Sequence, residues 1–308
     1  MLMINNKKKI RYFIPLFLAA GVLIYTFFLI IPIFNSLRLS FYTGEGMSTP
    51  TEFVGFANYI KLFTKYPFDV RFFNAFKNTI KFFLIVTVVQ NIAGFFMAVL
   101  LTRKFRGNTF FRRISFLPST LSILVTGFLF KLLLNPIWGI FDKLLAVLGL
   151  DFLIRPWLGS TALALPVIAL VVGWQWIGEA ILFYSAGIDS IDSEILEAAK
   201  IDGAGPMAEV RYIIFPSILP IAGMVTILIF VASFTQFAVI YAMATSKGNP
   251  IYSTDVFGSL FYRVTFESAV RGGWGVGMGA AVATIILILV LIGVVFCLFL
   301  FRMKGSKE

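Results

Sequence analysis

Six long stretches of this chain carry almost no formal charge, and that pattern leaves few folds open. They occupy residues 13–34, 82–101, 114–130 with an apolar extension through Leu134, about 162–188, and parts of 212–246 and 272–301. Lys131 in the extension and Glu179 in the fourth stretch are the only charges among them. A bilayer core of about 30 Å takes about 20 apolar residues per helix. Inside it, every backbone amide must be satisfied within helices or a closed barrel. The stretches are too long and too uniformly apolar for barrel strands of roughly ten alternating residues. With 59% hydrophobic and 13% charged residues, the chain lies outside the composition of soluble domains. The expectation is an all-α integral membrane protein of six transmembrane helices.

Lysine and arginine near span ends set orientation. The start carries Lys7, Lys8, Lys9 and Arg11, the short loop after the second span carries Arg103, Lys104, Arg106, Arg112 and Arg113, and the tail carries Arg302, Lys304 and Lys307. Residues 1–12 and 302–308 are therefore expected to be cytoplasmic around a permeation domain at 13–301. The segment 35–81 weakens the contrast, since it also holds Arg38, Lys61, Lys65, Arg71, Lys77 and Lys81. A cleaved signal peptide is disfavoured, because the first stretch exceeds a signal core and ends in Ile31-Pro32-Ile33-Phe34 without small residues. The net charge of +11 suits anchoring to anionic headgroups, not nucleic acid.

Much chemistry is missing. There is no histidine, which removes histidine-dependent triads, metal ligands and general bases. The single cysteine, Cys297, lies in the last span and reads as a small buried apolar residue. The cluster Gly272-Gly273-Trp274-Gly275-Val276-Gly277-Met278-Gly279 lacks the lysine of a phosphate-binding loop. No cofactor is expected in this chain. If ATP drives it, nucleotide and magnesium belong on another polypeptide.

The most informative segment is the polar one at 189–216. Asp192 or Ser193 can cap a helix start, Glu194 suits its positive end, and Gly203 is a natural left-handed terminator. Gly205-Pro206 then opens a second short helix, expected at about 207–214 and ending before Pro216. The first helix puts Ile195, Leu196 and Ala199 on one side and acids around the rest. Helices that lie on membranes carry Lys and Arg instead, so an acidic one suggests a protein partner.

The run Glu197-Ala198-Ala199-Lys200-Ile201-Asp202-Gly203-Ala204, followed by Ile213-Ile214-Phe215-Pro216, resembles the EAA loop of binding-protein-dependent ABC importer permeases. Val210 departs from the family, which often has an aromatic there. Further resemblance to sugar-importer permeases lies in Phe53-Val54-Gly55-Phe56-Ala57-Asn58-Tyr59, Leu117-Pro118, Asn135-Pro136-Ile137-Trp138-Gly139, Phe183-Tyr184-Ser185-Ala186-Gly187, Phe237 to Met243 and Tyr262 to Ser268. The chain is most similar to the first, maltose-permease-like subunit. The resemblance implies the type I ABC importer permease fold, a second homologous permease, two cytoplasmic ATPases that bind ATP and magnesium, an extracytoplasmic solute-binding protein, and a bacterial plasma membrane. It assigns ATPase coupling to Glu197, Ala198, Ala199, Asp202, Gly203, Ala204 and Pro216.

Polar residues within spans are costly and usually face a bundle interior or a wet path. Candidates are Ser119, Ser122 and Thr126, then Trp174, Gln175, Trp176 and Glu179, then Ser233, Thr235 and Gln236. Trp174 and Gly178, Gln175 and Glu179, and Ser233 and Gln236 each share a helix face. Serine and threonine can instead bond their own helix, and tryptophan can mark an interface. The resemblance implies solute contact by Ser119, Trp174, Gly178, Ser233 and Gln236. Glu179 is left open between pairing with a lysine of the partner permease, gating, and contact with solute. An ion-coupled carrier would show repeated halves and broken helices with midplane ionisable groups. A membrane enzyme would need a nucleophile and base. Within the importer class, glycerol phosphate, a sialic acid or another polar solute stands behind a sugar.

Overall fold

The computed structural model describes residues 18–43, 52–103, 106–267 and 275–301. The expected termini at 1–12 and 302–308, the first residues of span one, and Gly272 to Trp274 lie outside the described residues. In chain order the helices are α1 (Leu18–Leu39), α2 (Ala57–Thr64), α3 (Phe68–Thr102), α4 (Asn108–Thr120), α5 (Ile123–Leu133), α6 (Ile140–Val147), α7 (Ala164–Asp189), α8 (Ser193–Ile201), α9 (Pro206–Phe234), α10 (Ala238–Ala244), α11 (Phe257–Tyr262) and α12 (Val276–Leu300). Helices α1, α3, α7, α9 and α12 are each long and apolar enough to cross a membrane; α4 and α5 reach that length and apolarity only when taken together, across a sharp bend. Exposed Phe27 and Phe28 on α1, and Phe296 and Phe299 on α12, stand as lipid-facing side chains do.

Contacts divide the chain into two units, Met1–Thr64 with Val264–Ile285, and Lys65–Arg263 with Ile286–Glu308. In the first unit a two-stranded hairpin pairs β1 (Tyr42–Thr43) with β2 (Glu52–Phe53). Asn58 locks it, its Nδ2 donating to the carbonyls of Ser40 (2.8 Å) and Tyr42 (2.9 Å). The Tyr59 hydroxyl donates to Ser40 Oγ at 2.6 Å, and the rings of Phe41, Phe56 and Tyr59 cluster around it. The Phe53 to Tyr59 motif is thus a fastening for the end of the first span.

In the second unit α3, α7 and α9 form the core around Phe82, Ile168, Tyr184 and Ile218. On α3 the buried positions Phe68, Phe72, Ala75, Thr79, Phe82 and Val86 follow the three-and-four spacing of one helix face. Helices approach closely where one lacks a side chain: Gly173 lies under Val89, Gly187 under Ile221, and Gly94 against Ala180.

Four expectations change. The third span is not straight, because α4 ends in a 3₁₀ turn over Leu117–Thr120 and meets α5 at 94°. Such a break frees carbonyls that need a partner in hydrocarbon. Gln175 Nε2 supplies one, donating to the Leu121 carbonyl at 2.9 Å. The second short helix does not stop before Pro216, since α9 runs unbroken from Pro206 through Pro216 and Pro220. A π-turn at Val210–Ile214, where the Phe215 amide donates five residues back to Val210, widens the backbone where a proline ring would otherwise meet a carbonyl. The fifth span ends at Phe234; Thr235, Gln236 and Phe237 are non-helical, so Gln236 does not share a helix face with Ser233, and they separate the span from α10, which packs on α5 with Ala242 over Gly127. Finally, α3 starts at Phe68, so Arg71, Lys77 and Lys81 ride on a helix, where long basic side chains lay their stems on apolar surface.

Candidate functional site

Helix α8 is built to stand out from the rest. Asp192 caps it, with Oδ1 accepting from the Glu194 amide at 3.0 Å, and Glu194 sits in its first turn. Its end is a full Schellman motif: Gly203, at φ 81°, donates to the Lys200 carbonyl (3.1 Å), and Ala204 to that of Ala199 (2.9 Å). The helix holds no buried residue. Glu197, Ala198, Asp202, Gly203 and Pro216 are exposed, and Ala199 and Ala204 half-buried. Ile195, Ile201, Met207 and Tyr212 also stand exposed around it. Behind it, Arg112 of α4 meets Asp189 at 3.4 Å and donates through Nε to the Leu101 carbonyl at 3.2 Å, tying the ends of α3 and α7 together.

The expected solute residues separate. Glu179, Ser233 and Gln236 line one cavity of about 270 Å³ with Phe82, Trp176 and Phe183. Trp174 lines a second, about 600 Å³, with Thr126, Phe130 and Trp138, and sets its ring edge-on to Phe130. Gly178 borders a third, about 360 Å³, beside Arg112, Arg113 and Ser185. A Cβ at Gly178 would overlap the Ser115 carbonyl and Phe116 backbone, so its bareness serves the crossing of α7 on α4. Ser119 lines none of these three and donates to the carbonyl of Phe116 at 2.7 Å, its own helix. Ser122 is exposed at the bend.

Two features escaped the sequence reading. Gln90 reaches the first cavity from α3. Its signal was available, because it continues the spacing of the buried stripe four residues after Val86. The second feature is a polar cluster between α10 and α11. The Arg263 guanidinium forks onto the carboxylate of fully buried Asp255 (Nη1 to Oδ1 3.0 Å, Nη2 to Oδ2 2.5 Å) and also donates to the Ser246 carbonyl (2.9 Å). The Ser259 hydroxyl donates to Asp255 Oδ1 at 2.7 Å. Burial pushes the Asp255 carboxyl up from its ordinary value, and the Arg263 fork, the Ser259 hydroxyl and the Arg71 charge pull the other way. Arg71 and Arg263 both lie over the Tyr252 ring, at 4.4 and 5.1 Å. Asn74 and Asn78 donate to the Tyr252 carbonyl at 2.7 and 3.3 Å, which holds that residue at φ 58°. Asp255 precedes α11 and Arg263 follows it, so no single regular element carries both and advertises the pair.

Residues 90–303 match the family described as "binding-protein-dependent transport system inner membrane component". Among curated relatives, the probable ABC transporter permease protein YurN of Bacillus subtilis is 31% identical over 88% of this chain and 90% of its own. The lactose transport system permease protein LacF of Rhizobium radiobacter is 31% identical over 82% of each. The sn-glycerol-3-phosphate transport system permease protein UgpA of Escherichia coli is 34% identical over 82% of this chain and 83% of its own. In backbone, a bacterial alginate ABC transporter solved in complex with an alginate-pentasaccharide-bound periplasmic protein superposes with a TM-score of 0.80 at 21% identity, covering 98% of each chain. Relatives of this kind are permease subunits and not enzymes. With its apolar spans and its exposed capped helix, the chain belongs to the binding-protein-dependent transport system inner membrane components, and is a multi-pass ABC importer permease.

Proposed function

We propose that this permease admits a neutral sugar or oligosaccharide by alternating access, driven by two separate ATPase subunits that bind the ATP and magnesium. The observation that carries the coupling part is α8, a helix whose two ends are fully capped while its flanks leave Ile195 and Ile201 in solvent. A helix so finished locally and so bare laterally suits a groove on a partner. In this reading Glu197, Ala198, Ala199, Asp202, Gly203 and Ala204 meet the ATPase, and Pro216, within α9 just after its π-turn, belongs to the same coupling segment. A second, homologous permease and an extracytoplasmic solute-binding protein complete the assembly. No cofactor sits in this chain, and both termini are cytoplasmic in a bacterial plasma membrane.

The sugar assignment rests on the cavity of Glu179, Ser233 and Gln236. Its aromatic side chains suit the apolar faces of sugar rings and its polar groups suit hydroxyls, while neither lysine nor arginine lines it. A carboxylate without a cation disfavours anions such as glycerol phosphate or a sialic acid. LacF, named for lactose, agrees with this; UgpA, named for sn-glycerol-3-phosphate, stands against it.

The deciding experiment is Gly203→Asp. A side chain at φ 81° incurs about 1–2 kcal/mol of left-handed strain and breaks the cap. The spans should remain inserted while the ATPase is lost on purification and uptake is abolished. A stoichiometric, solute-stimulated complex would overturn the coupling role. Orientation is checked separately with Cys297 replaced: a cysteine at Lys65 should react with an impermeant maleimide outside sealed cells, whereas one at Arg106 should not.

A further inference from the structure

Two neighbouring amides lie in the π-turn that interrupts α3 at Val88–Ala93, and they are used differently. Asn91 is spent: its Oδ1 accepts from the Tyr184 hydroxyl at 2.7 Å and its Nδ2 donates to Thr226 Oγ1 at 2.8 Å, which binds α3, α7 and α9 together. Gln90 is only 7% exposed, lines the cavity of Glu179, Ser233 and Gln236, and its carboxamide has no hydrogen-bond partner among the described residues. Its amide atoms stay open to the cavity, and a polar side chain within a span is costly unless it faces a wet path or a polar partner. Apolar residues fill the six buried positions before it on the same face, Thr79 excepted, so a glutamine there is not explained by packing. Single π-turns recur at functional sites because the extra residue re-aims side chains.

We propose that Gln90 is a solute-contacting residue, whose amide hydrogen-bonds a hydroxyl of a neutral saccharide held in this cavity. An amide offers both donor and acceptor, so it can take both roles of a sugar hydroxyl. Gln236 supplies a second amide, Ser233 a hydroxyl and Glu179 an acceptor, and Phe82, Trp176 and Phe183 give aromatic surface. This deepens the carbohydrate reading and rests on it.

The test uses the complete importer with its binding protein in proteoliposomes, and radiolabelled lactose, maltose, diacetylchitobiose and sn-glycerol-3-phosphate as probes. The wild type should accumulate at least one saccharide, and Gln90→Leu should lower that uptake on the order of tenfold, the factor for one lost hydrogen bond. If the wild type carries only sn-glycerol-3-phosphate or none of the four, the carbohydrate reading falls and takes this proposal with it. Equal saccharide uptake by wild type and Gln90→Leu overturns the role of Gln90 alone. Should Gln90→Leu fail to assemble, Gln90→Cys in a Cys297→Ala background decides. The transported saccharide should slow its labelling by a small methanethiosulfonate several-fold, and labelling indifferent to saccharide would overturn the contact.

Discussion

Two polar connections, of similar length, behave in opposite ways. The segment from Ser190 to Gly205 satisfies its backbone with caps but buries none of the residues of its helix. The segment from Thr245 to Val256 buries Thr254, Asp255 and Val256 completely and draws on Asn74, Asn78 and Arg263 from outside itself. It also carries three non-glycine residues at positive φ, Thr245, Ile251 and Tyr252, which persist only because their surroundings hold them. A connection that brings its partners with it is finished within one chain. One that leaves Ile195 and Ile201 exposed is left unfinished by its own chain, as the proposed docking of an ATPase requires.

The contrast breaks most severely at Arg263. Arg263→Ala leaves the Asp255 carboxylate buried without its fork, a loss of about 3–5 kcal/mol by analogy with other buried pairs. The purified complex should melt far below wild type, and Asp255→Leu with Arg263→Met should recover most of that loss. Wild-type melting of the single variant would show that the segment does not depend on the pair. On the other connection the effects are smaller. Asp192→Ala removes one cap of α8 at about 1 kcal/mol, so spans and melting should hold while solute-stimulated ATP hydrolysis falls. A melting temperature that falls as hydrolysis holds would place α8 on the structural side of the comparison. Smallest is Arg112→Ala. Its ion pair with Asp189 is half-exposed, so it should contribute under about 1 kcal/mol and weaken further in salt. A large loss would mean that the bond from Arg112 Nε to Leu101 matters more than the charge pair.

The helices that cross, and the ends of α8, were legible in the order of residues because both depend on local rules. Hydropathy alone names a span. An aspartate at a helix start and a glycine at its end act within one turn, so Asp192 and Gly203 took their expected places. The permease family was legible for the same reason, its signature being contiguous from Glu197 to Gly203. The bend between α4 and α5 was not, since Gln175 stabilises it from 54 residues away. Proline at 216 misled because its usual consequence, a helix end, is cancelled by the π-turn before it. Among the proposed solute residues, one helix face did not mean one cavity: Trp174 and Gly178 border different spaces, and Glu179 joins Ser233, Gln236 and Gln90 only once three helices are packed. What the amino-acid order determined by itself is whatever a bilayer or a single helical turn can read. Which polar side chains are spent on structure, and which are left facing a cavity, was decided by helix packing, because a hydrogen-bond partner is a matter of distance in space and not of separation along the chain.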